Sequence, residues 1–236
     1  MDPGGTMTPR AGPGVLCLQG GRELTSACID MDRAVLERCD GAVAILAGAA
    51  RPGSDYVGAS ARTVEYYRGL GAEVVVVPDP RSDPGRARAA LTDDVGLIVM
   101  PGGAPGGLLD VLTIVDGGSI GARIVELWLS GAGMSGASAG AMVMCTRTAI
   151  PDRRAGAGNG IADGLGLVAG MAVPHWSPGF ESRWEIPEST VWGLPECGGV
   201  VLQDDRMSAV GQGTPSIRIS DAWHAVTRVG TEELPT

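Results

Sequence analysis

The sequence predicts an α/β fold built on a doubly wound, mostly parallel sheet. Four short, continuous apolar runs read as strands buried on both faces; they are residues 14–18, 42–47, 73–78 and 96–101. Four longer segments have apolar residues at helical spacing; they are residues 25–39, 59–71, 106–113 and 119–133. The alternation of such strands and helices along a chain favours parallel strand pairing.

The pattern changes after residue 150. Residues 153–166 are rich in glycine and predict a loop, whereas residues 166–176 contain a strand that ends near His175. From residue 198 onward, short apolar runs broken by Asp-Asp and Gly-Gln-Gly predict a C-terminal β-meander. We predict a disordered N-terminal segment over 1–13 and a single α/β domain over 14–236.

Composition excludes several functional classes. The net charge is −9 with no basic cluster, which argues against nucleic acid or an anionic membrane as partner. No apolar run approaches the ~18 residues of a membrane span, and the N-terminus has no secretory signal. The five cysteines form no C-x-x-C pair, so we expect reduced thiols in a cytoplasmic protein.

The absent residue types narrow the possible chemistry. The chain contains no lysine, which removes a Walker-A lysine, a Schiff-base lysine and a Ser-Lys dyad. Any histidine base must be His175 or His224. With two histidines and no cysteine cluster, no metal site is expected, and nothing in the sequence implies an organic cofactor.

A candidate nucleophile lies at Ser138, inside Gly-Ala-Ser-Ala-Gly (136–140). The spacing G-x-S-x-G is typical of a sharp strand-to-helix turn that exposes a serine hydroxyl, and small neighbours are needed where the backbone is crowded. The N–H groups of the following helix can stabilise an oxyanion. Close packing of a turn rich in glycine and alanine is the alternative interpretation.

Two further features favour a catalytic serine. Gly102 and Gly103 directly follow an apolar strand, where backbone N–H groups of either glycine could complete an oxyanion hole. His175 lies at the end of a predicted strand, which is where the functional sites of α/β sheets lie.

The acid that would orient His175 has two candidates. Glu196 precedes an apolar strand between proline and cysteine, an unusual place for a merely solvated carboxylate, and it is the preferred candidate. Asp152 is the alternative, although its neighbours Arg153 and Arg154 also suit a surface ion pair.

In this order, the motifs resemble the peptidase E / cyanophycinase family of serine peptidases, whose fold is related to class I glutamine amidotransferases. The resemblance covers roughly residues 14 to 220. It rests on LQGGRE (18–23), RGLGAEVVVV (68–77), VMPGGAPGGLLDVL (99–112), GASAGAMVM (136–144), AVPHWSPGFESR (172–183) and WGLPECGGVVLQDDRMSAVGQG (192–213).

The resemblance implies a flavodoxin-like, three-layer α/β/α sandwich. It implies Ser138 as nucleophile and His175 as general base and then acid, with the backbone of Gly103 and Ala139 as oxyanion donors. It leaves the identity of the acid open, because two patterns occur in the family. The cyanophycinase-like pattern has a glutamate where Glu196 stands, whereas the dipeptidase-like pattern has an aspartate close to Asp152.

The resemblance also suggests where the substrate lies. Arg183 is the nearest counterpart of an arginine that meets an acidic substrate side chain; pairing with Glu181 or Glu185 is the alternative. After the Gly-Gly pair the family often carries a polar side chain that helps to hold the substrate. Here Ala104 stands at that position, so Gly102 and Ala104 would line the substrate site without that group.

These observations predict a serine hydrolase that cleaves an amide bond in a small peptide or amino-acid derivative. An acyltransferase or cyclase of a biosynthetic pathway using the same Ser-His site is one alternative. A non-catalytic binding protein on the same fold is another. The predicted fold allows a homodimer, although no sequence feature specifies an interface.

Overall fold

The computed structural model describes residues 12–116, 118–150, 160–177, 179, 188–227 and 232–233. Within this part of the chain there are 14 strands, six α-helices and a short 3₁₀ helix at Ser26–Cys28. The strands are β1 Leu16–Gln19, β2 Ala42–Ile45, β3 Val74–Val76, β4 Val95–Met100, β5 Gly133–Ala137, β6 Cys145–Ile150, β7 Gly160–Asp163, β8 Val168–Val173, β9 Thr190–Gly193, β10 Gly198–Gln203, β11 Arg206–Gly211, β12 Ser216–Ile219, β13 Ala222–Ala225 and β14 Glu232–Glu233. The helices are α1 Ile29–Leu36, α2 Ser54–Gly69, α3 Pro84–Ala89, α4 Pro105–Leu112, α5 Ile120–Leu129 and α6 Ala139–Met144.

The larger sheet has eight strands in the order β14-β11-β10-β1-β5-β4-β2-β3. Strands β1, β5, β4, β2 and β3 pair in parallel, whereas β10 pairs antiparallel with both β1 and β11. The carboxyl ends of the parallel strands therefore meet at one edge, which is where ligands bind in open α/β sheets. The predicted mostly parallel sheet is confirmed.

Helices cover both faces of this sheet. Along β1, Leu16 and Leu18 pack into one apolar cluster with helices α4, α5 and α6, while Cys17 packs into another with α1 and α2. Side chains alternate between the two faces of a strand, so one strand contributes to both cores. The architecture is the predicted α/β/α sandwich.

The helices differ from the sequence predictions at several positions. The predicted helical segments 25–39 and 119–133 are shorter, at Ile29–Leu36 and Ile120–Leu129, because a 3₁₀ helix precedes the first and β5 begins at Gly133 after the second. Helix α2 begins at Ser54, ahead of the predicted start at residue 59. Helix α3 was not predicted, although Asp83 and Pro84 form a helix start signal: the Asp83 side chain accepts a hydrogen bond from the Arg86 N–H. Its six residues are too few to show an apolar period.

A second sheet of six strands, in the order β13-β12-β9-β8-β6-β7, was not predicted. The loop prediction for 153–166 is wrong for Gly160–Asp163, which forms β7 and pairs antiparallel with β6. The C-terminal strands are confirmed, and Asp204 and Asp205 close the β10–β11 hairpin with φ of 51° and 58°. After this hairpin, β12 joins the second sheet through β9, so the meander is divided between two sheets.

No helix among the described residues combines the length and apolar character needed to cross a membrane.

Candidate active site

Ser138 lies on a strained turn between β5 and α6. Its backbone has φ of 49° and ψ of −107°, a conformation that costs energy for a residue with a Cβ and that is concentrated at functional sites. The flanking glycines are required by packing. A Cβ on Gly136 would lie 2.4 Å from the Gly140 carbonyl carbon, and one on Gly140 would lie 2.1 Å from the Met100 oxygen.

The structure brings Ser138, His175 and Glu196 together in one line of contacts. The Ser138 Oγ is 3.2 Å from the His175 Nε2, and the His175 Nδ1 is 3.2 Å from the Glu196 Oε1. With the proton on Nδ1, the imidazole donates to the carboxylate and its Nε2 can accept the serine proton. The side chains of His175 and Glu196 are 50% and 45% exposed, so solvent reaches the pair.

The segment 19–23, which begins with the last residue of β1, joins the three loops that carry these residues. Its backbone carbonyls accept hydrogen bonds from loops that are more than a hundred residues away along the chain. The bonds run from Ser138 to Gln19, from His175 to Gly20 and from Cys197 to Gly21, at 2.9, 2.8 and 2.9 Å respectively. The sequence motif LQGGRE (18–23) thus has a structural role, because its backbone carbonyls bind all three loops of the site.

Gly21 packs directly against the His175 ring. Its φ is +123°, and a Cβ there would lie 2.4 Å from the imidazole Cε1. His175 itself has φ of 56°, so its backbone cannot shift freely to make room. Only glycine satisfies both the backbone conformation and the close approach.

We therefore expect Gly21→Ala to displace the imidazole and to lower kcat/KM about 100-fold, the usual cost of a misplacement near 1 Å. The measurement is the rate of amide hydrolysis together with the melting temperature. Gly58→Ala is the matched control, because it lies inside α2 and its nearest neighbour would be the Arg62 Nη1 at 3.5 Å. Equal activity of the Gly21→Ala variant and the wild-type protein would contradict this expectation.

The candidate oxyanion donors are not equivalent in the structure. The Gly102 N–H donates to the Glu23 Oε1 at 2.7 Å and is therefore already engaged. Gly103 has φ of +150°, a backbone conformation that favours glycine. Among the described residues, no group accepts a hydrogen bond from the N–H of Gly103 or of Ala139, the first residue of α6. These two donors are the ones that remain for a ligand.

Two charged residues at the site were missed by sequence reasoning. Arg22 places Nη1 3.5 Å from the Glu196 Oε2, and Glu23 bonds Gly102. The Arg22 and Glu196 side chains are 68% and 45% exposed, so the ion pair contributes little to stability. The available signal was their position immediately after the Gly-Gly pair that follows β1, at the same sheet edge as Ser138.

A buried polar network lies under the site. The Gln19 Nε2 donates to the Asp32 Oδ1 at 2.7 Å and to the Ser135 Oγ at 2.9 Å. The Tyr66 hydroxyl donates to the Asp32 Oδ2 at 2.7 Å. Burial raises the pKa of the Asp32 carboxyl above its usual range, while the hydrogen bonds from Tyr66 and Gln19 oppose that rise. The network fixes Gln19, whose carbonyl holds the Ser138 amide.

The other sequence-predicted residues are placed as follows. Ala104 is exposed at the N-cap of α4, and its N–H donates to the Ala49 oxygen at 2.8 Å. Asp152 and Arg183 lie outside the described residues. In the part of the chain that the structure describes, no group of three or more His, Cys, Asp or Glu side chains could hold a metal ion.

This geometry is the arrangement of serine hydrolases: a serine on a strained turn, an imidazole in contact with its hydroxyl, and backbone N–H donors beside it. The sequence model of peptidase family S51 matches residues 46–215, and the chain belongs to this family. It is therefore a serine peptidase, and the resemblance to peptidase E is confirmed.

Solved structures share the fold. A peptidase from an acI-B1 actinobacterium superposes with a TM-score of 0.77 at 22% identity, covering 94% of this chain and 98% of the other. A protein from Listeria monocytogenes EGD-e assigned to peptidase E gives a TM-score of 0.64 at 16% identity, covering 85% and 100%. A comparison with curated proteins gives no match.

Proposed function

We propose that this serine peptidase hydrolyses an amide bond in a small peptide or amino-acid derivative through Ser138, His175 and Glu196. The observation that carries the proposal is the line of 3.2 Å contacts from the Ser138 Oγ to His175 and on to Glu196. A nucleophile, a base in contact with it and an acid behind the base are the three parts that an acyl-enzyme mechanism needs.

In the proposed mechanism, His175 takes the Ser138 proton as the Oγ attacks the amide carbonyl. The Gly103 and Ala139 N–H groups stabilise the tetrahedral oxyanion. His175 then protonates the leaving amine, which departs and leaves an acyl-serine. Water, deprotonated by the same imidazole, releases the acid and restores Ser138. Glu196 holds the imidazole in the tautomer that accepts at Nε2 and stabilises the cation that forms.

Glu196 is preferred to Asp152 as the acid because its carboxylate is in contact with the His175 Nδ1. The other carboxylate oxygen, Oε2, lies 3.5 Å from the Arg22 Nη1, so both oxygens of Glu196 have a partner. Glu196 also lies two residues before β10, a strand anchored to β1 over four residue pairs. Its position relative to the sheet edge is therefore well defined.

A fluorophosphonate probe tests this function without knowledge of the substrate. We expect covalent labelling of Ser138 in the folded protein, located by peptide mass mapping, and no labelling after denaturation. Product masses from peptide amides then separate hydrolysis, which adds water across the bond, from acyl transfer to an amine or from cyclisation. A folded protein that leaves Ser138 unlabelled would support the alternative of a non-catalytic binding protein.

A further inference from the structure

Glu23 contacts the loop that carries a candidate oxyanion donor. Its Oε1 accepts the Gly102 N–H at 2.7 Å. A Cβ added to Gly102 would lie 2.8 Å from that same oxygen and 3.2 Å from the Ser138 Cβ. The carboxylate, the glycine and the candidate nucleophile are therefore packed together, with the glycine in the middle.

The loop after β4 is held on both sides of Gly103. On one side Glu23 holds the Gly102 amide; on the other, the Ala104 N–H donates to the Ala49 oxygen at 2.8 Å. A Cβ on Gly103 would lie 2.5 Å from that Ala49 oxygen, so the loop is in close contact with its support. Two neighbouring amides are fixed, and the Gly103 N–H between them has no acceptor among the described residues.

We propose that Glu23 is a positioning residue, whose carboxylate oxygen fixes the Gly102 N–H and so holds the loop in the conformation that directs the next amide, the Gly103 N–H, at the oxyanion formed on Ser138. The inference rests on the proposed function, because it needs Ser138 to form that oxyanion. It adds a residue outside the triad that acts through the backbone and does not itself touch the reacting atoms.

The position of Glu23 in the chain supports this role. It lies at the end of the segment 19–23, whose carbonyls bind the backbones of Ser138 and His175. The side chain of Glu23 extends the same support to the loop after β4. An oxyanion hole is effective only when its donors are fixed in advance relative to the nucleophile, and here one short segment fixes both.

The physical property that matters is the acceptor oxygen and not the charge. A negative charge near the developing oxyanion opposes its formation. Glutamine keeps an oxygen at the position of Oε1 and removes the charge. The Glu23→Gln variant should therefore preserve the loop, whereas alanine or methionine removes the acceptor.

The test compares the rates at which a fluorophosphonate labels Ser138, since its phosphoryl oxygen takes the place of the oxyanion. We expect Glu23→Ala to lower kinact roughly 10–100-fold with KI unchanged, and Glu23→Gln to restore nearly the wild-type kinact. Glu23→Met fills the side-chain volume without an acceptor and should be as slow as Glu23→Ala. Glu73→Ala, which removes an exposed carboxylate just before β3, is the charge control.

The possible failures are distinguishable. A Glu23→Met variant with a wild-type kinact, or a Glu23→Gln variant as slow as Glu23→Met, would overturn the positioning role while Ser138 remains labelled in the wild-type protein. Absence of labelling in the wild-type protein would instead overturn the proposed function, and this inference with it. Melting temperatures of all variants, measured in parallel, separate a slow site from an unfolded one.

Discussion

The Ser138→Ala variant is expected to lose about 10⁴–10⁶-fold in kcat, because the members of a catalytic triad act as a unit and alanine has no nucleophile. The melting temperature should change little, since Ser138 is half-buried, alanine keeps its Cβ, and the change removes a hydroxyl that hydrogen-bonds His175. Hydrolysis of a small peptide amide, followed by product mass, is the measurement.

Residual activity of this variant would come from the backbone donors and substrate binding alone. Ser130→Ala is the matched control, because it removes an exposed hydroxyl at the end of α5. A Ser138→Ala enzyme with full activity and no fluorophosphonate labelling elsewhere would contradict the assignment of the nucleophile.

The Glu196→Gln variant is expected to lose roughly 10²–10⁴-fold in kcat. Glutamine can donate from its amide to the His175 Nδ1, which leaves the proton on Nε2 and prevents the ring from accepting the Ser138 proton. The partial exposure of Glu196 favours the lower part of this range, because water can replace some of the lost interaction.

Asp152→Asn is the informative comparison for that variant. It changes the other candidate acid in the same isosteric way, and we expect kcat to stay close to the wild-type value. The reverse result, with Asp152→Asn inactive and Glu196→Gln active, would assign the acid to Asp152. A loss in both variants would require melting curves to show that each protein is folded.

The local pattern of apolar and small residues was sufficient to predict the first four strands and the turn at Ser138. The strands β1, β2 and β4 are apolar runs because both faces of the sheet are covered, and their positions were predicted. The position of β3 was also predicted, but this strand lies at the edge of the sheet and is not buried, with Val76 43% exposed. The turn at Ser138 was also predictable, because the G-x-S-x-G spacing is visible in the sequence. The structure gives its steric reason: a Cβ on Gly136 or Gly140 would collide with the backbone.

The second sheet shows why other parts could not be predicted. Strand β7 is a short, mostly exposed strand in a glycine-rich stretch, and it is defined by its pairing with β6. Strand β12 looks like a continuation of the hairpin before it, but β9 provides its partner. Pairing between distant segments leaves no trace in a local period of hydrophobic residues.

By itself, the sequence determined an α/β fold on a mostly parallel sheet, a serine on a tight turn and a short list of bases and acids, since composition and spacing constrain these directly. Only the tertiary structure showed that the Glu196 carboxylate contacts the His175 Nδ1 and that Glu23 engages the Gly102 amide. It also showed that the segment 19–23 supports three loops. The physical reason is that these contacts are backbone hydrogen bonds and side-chain distances between residues far apart in the chain, which exist only once the strands are paired.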